Sequence, residues 1–217
     1  MSNETAIDPT GVAAIWGGRG SGKTTLAKSA ILPQVAAQRT VWIDPMADTS
    51  EAFSNVRDCA DALYQGAKVV KLANGKTEHA LAMIYAAYGH STKASPIYIV
   101  AAEAPSYRHR DTPGLNKVLY QGRHRGIGMC IIGQRPAAVS AAVRSQAAVT
   151  FWMRLNDHVD TETARKAIGP DLAHSLSTLT PGESHRHPPL SSRSRRRCTA
   201  RAVPPGASPA RGCRPRH

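Results

Sequence analysis

The sequence predicts an α/β fold, a mostly parallel central sheet flanked by helices, on three observations. Short β-rich apolar runs alternate with helical stretches from residue 11 to about residue 182, the order expected of successive βαβ units. Several of those runs are apolar at nearly every position, as strands covered on both faces are. A glycine-rich stretch, GGRGSGKTT at 17–25, joins the first apolar run to the first helical one.

The elements follow in order. GVAAIW (11–16) is a strand that stops where glycines allow the backbone to turn. Residues 23–36 are rich in alanine with leucine and lysine and predict a helix. TVWID (40–44) is the second strand, 50–64 the second helix, and Gly66 ends it. AKVVKL (67–72) is the third strand, Asn74-Gly75 a turn, and 78–88 the third helix, closed by Gly89. PIYIVAA (96–102) and IGMCIIG (127–133) are further strands, with a helix at 113–123 and Gly126 between them. AVTFWMRL (148–155) is the last predicted strand, and a helical pair covers 161–177.

Composition divides the chain into an arm at 1–10, one domain at 11–183 and a tail at 184–217. Hydrophobic residues are 41% and charged residues 20% of the chain, ordinary for a globular protein. The net charge of +13 is uneven: residues 185–217 contain nine arginines and no acid, leaving +4 on residues 1–184. The tail, rich in Arg, Pro and Ser, holds too little apolar surface to offset the entropy of ordering and is expected to be disordered. It reads as a basic nucleic-acid arm around Arg195, Arg196 and Arg197, or as a frameshifted end. Cys59, Cys130, Cys198 and Cys213 lack metal-site or disulfide spacing and are expected to be free thiols. The N-terminus lacks signal-peptide character and no apolar run is long enough to span a bilayer, so a cytoplasmic protein is expected.

The chemistry is concentrated at 17–25. Gly17, Gly18, Arg19, Gly20, Ser21, Gly22, Lys23, Thr24 and Thr25 contain G-x-x-x-x-G-K-[ST], the phosphate-binding loop. Its glycines let backbone N–H groups wrap an anion, and the helix opening at Lys23 adds its positive dipole end. Lys23 is predicted to reach the β- and γ-phosphates of ATP, and Thr24 to ligate Mg2+. A second acidic site is expected at the end of another strand. There, Ala102 stands where an Asp commonly precedes the glutamate, and Glu103 is the carboxylate left. Glu103 reads as the catalytic base or as a helix-capping glutamate. Asp44 either assists with Mg2+ through water or initiates a turn before Pro45.

Together, GGRGSGKTT, VWIDP, IYIVAAEAP, GRHRGIGMCIIGQRP and LSTLTPGE resemble the FtsK/HerA-type motor ATPases over residues 11–183. The similarity is greatest to the small genome-packaging ATPases of tailless, membrane-containing phages. The resemblance implies a RecA-like P-loop NTPase fold and an ATP-driven DNA translocase that works as a ring, a hexamer in the family. It also implies docking on a capsid or membrane-vertex protein, and either host-cytoplasmic or virion-associated location. By the same resemblance Gln134 is the sensor beside the γ-phosphate, with a plain turn residue before Pro136 as the other reading. Arg123, or else Arg125, is the arginine finger offered to the neighbouring subunit, against a solvated helix end. DNA-gripping loops are expected at 106–111 and at 137–146 with Arg144, with exposed basic loops as the alternative. Other functions fit less well: a Zot-like filamentous-phage assembly ATPase, a phosphotransferase with a lid formed by Arg108, Arg110 and Arg123, or an ATP-binding subunit with weak turnover. Because the family-like sequence ends at Glu183, the closing strand of the sheet is expected to be missing.

Overall fold

The computed structural model describes residues 7–46, 49–73, 76–103 and 113–187. It contains one seven-stranded sheet in the order β3-β2-β4-β5-β1-β6-β7. The strands are β1 (Val12–Trp16), β2 (Arg39–Ile43), β3 (Val69–Leu72), β4 (Ile97–Ala101), β5 (Ile127–Gly133), β6 (Ala147–Trp152) and β7 (His185–His187). All neighbouring pairs are parallel except β6 with β7. The α/β architecture expected from the alternation of elements, and the RecA-like P-loop fold implied by the resemblance, are therefore present.

β1, β4 and β5 are buried along their whole lengths, which explains why their sequences do not alternate. Their side chains feed two cores. One lies under α2 (Val56–Tyr64), α3 (Thr77–His90) and α4 (Pro113–Gln121), with Leu63, Met83, Ile84 and Val118 against Ile43, Ile99 and Ile131. The other gathers Ala27, Ile31 and Val35 against Ile15, Val100 and Ile132.

The predicted helix at 23–36 is built in three pieces: α1 (Lys23–Leu26), a π turn at Ala27–Ile31 and a 3-10 turn at Leu32–Val35. Pro33 has no N–H to give to the preceding turn and its ring crowds that turn, so the hydrogen-bond ladder changes register before it. α2 begins six residues later than predicted, where Asn55 accepts the backbone N–H of Asp58 and caps it. A short α5 (Ala141–Ser145), capped by Ser140, appears within the stretch expected to be a loop. The predicted terminal pair is α6 (His158–Ile168) and α7 (Pro170–Ser175), separated by Gly169 at φ 90°.

Both compositional boundaries shift. Residues 7–10 are packed against the domain: Ile7 is buried, its N–H donates to Gln34, and Gln38 donates to the Pro9 carbonyl. A Cβ on Gly128 would stand 2.3 Å from the Pro9 oxygen, so this close approach requires glycine. At the other end β7 lies beyond Glu183 and pairs antiparallel with β6, from Thr150↔His187 to Trp152↔His185. A closing strand is thus present, contrary to the expectation, and residues 185–187 belong to the sheet. Arg186 adds its guanidinium over the Phe151 ring at 5.6 Å. The stretch 106–111, with Arg108 and Arg110, and the tail with Cys198 and Cys213 lie outside the described residues.

Candidate functional site

The loop after β1 is shaped by contacts that admit few side chains. The Gly17 N–H donates to the Gly133 carbonyl at the end of β5, and the Gly18 N–H to the Arg154 carbonyl beyond β6. A Cβ at Gly17 would come within 2.6 Å of Ser21 Oγ and 2.8 Å of Met153 Cβ. Gly20 and Gly22 take φ 73° and 94°, left-handed values that suit glycine. Ser21 is fully buried, and its carbonyl accepts the Gly182 N–H at 2.9 Å, so the turn Pro181-Gly182 clamps the loop from the far end of the domain.

Lys23 opens α1 and is nearly buried. Its Nζ crosses the loop to the Gly18 carbonyl at 2.8 Å. Burial pushes its ammonium below the ordinary lysine pKa, and the Glu103 carboxylate acts in the opposite direction. Arg19, Gly20, Thr24 and Thr25 are exposed around the mouth.

The rest of the site comes from the C-terminal ends of neighbouring strands. The main-chain N–H of Ala102 donates to the Ile43 carbonyl at 2.8 Å, placing the end of β4 beside the end of β2. Glu103 follows at φ 53°, the one non-glycine residue with positive φ among the described residues. That conformation costs on the order of 1–2 kcal/mol for a residue with a Cβ. Glu103 Oε1 accepts a 2.8 Å hydrogen bond from Gln134 Nε2, just past β5. A cleft of about 650 Å³ is lined by Lys23, Thr24, Asp44, Ala102, Glu103 and Gln134 together with Arg19, Gly20, Gly22 and Thr25. The predicted phosphate, acid and sensor residues therefore converge. Asp44 lines the cleft, and its Oδ1 accepts the Met46 N–H at 2.9 Å in a turn just after β2.

The arginines do not converge there. Arg123 lies on the 3-10 turn Gly122–Arg125, ahead of β5, at the end of the sheet opposite the cleft. The seven residues of β5 rise about 20 Å at ~3.3 Å each, so Arg123 is beyond reach of its own chain's phosphate loop. Its guanidinium is largely exposed and pairs with Asp8 at 2.7 Å. Burial pushes the Asp8 carboxyl up, but hydrogen bonds from Thr10 and Arg123 outweigh it and hold the pKa below the ordinary value. Arg125 is committed internally, donating to the Ser91 and Gly89 carbonyls. Arg144 likewise turns inward, to the carbonyls of Pro136 and Val139.

One positioning residue escaped sequence reasoning. Asp160, in the first turn of α6, is 1% exposed. It accepts the Ala137 N–H at 2.9 Å and lies 3.3 Å from Arg135 Nε. Asp157, which caps α6, stands 3.5 Å from the same guanidinium. The segment carrying Gln134 is thereby anchored to α6. An acid in a helix's first turn reads as ordinary dipole chemistry, and only the tertiary contact marks it.

This fold recurs in solved structures. The chain is similar to the genome packaging NTPase of Sulfolobus turreted icosahedral virus 2 in complex with AMP, at TM-score 0.72 and 20% identity, covering 85% of this chain and 96% of that one. It is similar to the DNA-packaging ATPase of Sulfolobus turreted icosahedral virus, at TM-score 0.66 and 21% identity, covering 85% and 100%. The chain has the fold of these packaging NTPases. EssC (ATPases 2 and 3) from Geobacillus thermodenitrificans aligns at TM-score 0.51 and 13% identity, over 82% of this chain and 38% of that one. The resemblance to FtsK/HerA-type ATPases read from the motifs is thus matched at the level of fold. In sequence, a probable helicase of Methanocaldococcus jannaschii is 29% identical in an alignment of 99 residues that covers 42% of this chain. The alignment spans 19% of that relative's length. No protein family model matches the chain.

Proposed function

We propose that the chain is an ATPase that drives DNA translocation, packaging a viral genome into a capsid as a ring-shaped oligomer, a hexamer by family resemblance. The observation that carries this reading is the meeting of Lys23, at the start of α1, with Glu103 and Gln134, at adjacent strand ends, around one cleft. The fold shared with viral packaging NTPases supports it. Lys23 and the backbone N–H groups of 17–24 bind the phosphates, and nucleotide breaks the Lys23 hydrogen bond to Gly18 as the ammonium turns to the anion. Glu103 orients and deprotonates the attacking water, and Gln134 holds the carboxylate at 2.8 Å until the terminal phosphate competes for its amide.

Mg2+ fits the donors present: the Thr24 hydroxyl and the Asp44 and Glu103 carboxylates are all hard oxygen groups on one cleft. It would bind Thr24 directly and the two acids through water, supplying charge neutralisation at the β- and γ-phosphate oxygens. Arg123, which its own site cannot use, would serve the neighbouring subunit as an arginine finger. Host-cytoplasmic and virion-associated locations both suit this role, and docking at a capsid or membrane vertex would bring the ring to its DNA.

The test is DNA-stimulated ATP hydrolysis. Lys23→Ala is expected to abolish nucleotide binding, and Glu103→Gln to retain binding while turnover falls by about two or more orders of magnitude. Wild-type turnover that ignores DNA, or equal rates for wild type and Glu103→Gln, would refute the motor reading. Ala102, in place of a second acid at the end of β4, favours one other reading: a nucleotide-binding subunit with weak turnover. Tight ATP binding with slow hydrolysis, restored by Ala102→Asp, would identify it.

A further inference from the structure

We propose that the C-terminal halves of α3 and α4 form a binding face for single-stranded nucleic acid. Tyr85 on α3 and Tyr120 on α4 are each 53% exposed, so their rings contribute little to the core beneath them. Cations lie against the neighbouring rings. Lys117 Nζ is 5.1 Å from the Tyr85 ring centre and 5.9 Å from that of Tyr88, and the Arg125 guanidinium is 5.2 Å from Tyr88. The two helices are held together at this place. Tyr88 donates to Gln121 at 3.1 Å, and a Cβ on Gly114 would sit 3.2 Å from Tyr85 Cβ. Arg125, whose donors are engaged by the Ser91 and Gly89 carbonyls, contributes only its fixed positive charge beside the Tyr88 ring.

The charge of the face selects an anionic partner. α4 and the turn after it carry no acid, and α3 carries only Glu78, in its first turn at the far end. A second copy docking through the same face would oppose Lys117 and Arg125 with their own images. Another groove, lined by residues of β2 and β3 and their neighbours, balances Lys28, Lys68 and Lys71 against Asp44 and Glu51 and selects an anion less clearly. A phosphodiester chain supplies the missing charge, and flat exposed tyrosines offer stacking platforms for unpaired bases. A duplex hides those base faces, so the single strand is the form that uses both features. The face lies toward the end of the sheet opposite the phosphate cleft and needs neither nucleotide nor turnover. It therefore stands or falls apart from the ATPase reading.

The experiment uses the full-length chain and a fluorescent oligothymidylate of about 20 nucleotides, long enough to cover one such site. Anisotropy is measured beside the matched duplex, at raised salt that suppresses the purely electrostatic binding of an arginine-rich tail. Tyr85→Ser combined with Tyr120→Ser is expected to weaken single-strand binding by about tenfold or more, with the melting temperature and nucleotide binding unchanged. Lys117→Gln, a milder change, is expected to weaken it several-fold and to reduce the salt slope by about one ion. Photo-crosslinking with iodouracil-substituted oligonucleotide should label peptides containing Tyr85 or Tyr120. Unchanged affinity in both variants, or crosslinks confined to the tail, would overturn the proposal. So would loss of self-association in the tyrosine variant with single-strand binding intact, which would make the face a protein interface.

Discussion

Replacing Asp160 by alanine should both destabilise the domain and impair catalysis, though Asp160 lines no part of the cleft. Its side chain is 2% exposed and accepts two contacts, from the Ala137 N–H and from Arg135. Losing a charge-assisted hydrogen bond to a buried acceptor costs about 1.5–3 kcal/mol. The Arg135 side chain is 59% exposed, so it returns to water and that pair adds only ~0–1 kcal/mol. The expected total, about 1.5–4 kcal/mol, lowers the melting temperature of a domain this size by roughly 3–16 °C at ~2–4 °C per kcal/mol. Circular dichroism melts read this directly. Asp160→Asn, which keeps an acceptor for Ala137, should lose less than half as much. Freed from α6, the segment 134–137 lets Gln134 drift from Glu103, and kcat should fall by about tenfold or more with KM nearly constant. A melting temperature within about 2 °C of wild type, or an unchanged kcat in a fully folded variant, would refute the argument that α6 holds Gln134 in place.

Three further outcomes follow from the geometry. Gly17→Ala places a methyl 2.6 Å from Ser21 Oγ and should cost about 1–3 kcal/mol by overpacking, with nucleotide binding lost in isothermal titration calorimetry. Glu103→Gly relieves the positive φ and should raise stability by up to ~1 kcal/mol in urea melts, less whatever the lost Gln134 hydrogen bond contributes, while turnover disappears. Because burial depresses the Lys23 pKa, and phosphate binding needs the charged ammonium, nucleotide affinity should decline on the alkaline side at a pH below that of an unperturbed lysine. Binding in that range should take up protons, seen by calorimetry in buffers of different ionisation enthalpy.

Much of this was legible in the sequence because local chemistry and global fold agree. GVAAIW, PIYIVAA and IGMCIIG are apolar throughout because both faces of the sheet are covered, and the phosphate loop announces itself by glycines that close contacts require at Gly17 and positive φ favours at Gly20 and Gly22. The misses share a cause: they are decided by contacts distant in sequence. His185–His187 has no strand-like composition, and it becomes a strand because the edge of β6 offers backbone partners and Phe151 offers a ring to Arg186. Ile7 looked like part of a polar arm until Gln34 and Gln38 bound the backbone around it. Arg125 and Arg144 read as free cations, whereas nearby carbonyls consume both.

The place of β5 between β1 and β4 sets a working distance. Two strand spacings of about 4.8 Å put the acid's strand roughly 10 Å from the loop's strand, a gap wide enough to stand a phosphoryl group and a water in line. Were β4 bonded directly to β1, a carboxylate would be pressed against phosphate oxygens of like charge, with no space for a nucleophile. The strand that fills the gap ends in Gly133, a residue without a side chain beside the loop, and just past it stands the Gln134 amide, reaching toward the acid. The sheet is thus a ruler as well as a scaffold, and Gln134 stands at its middle mark.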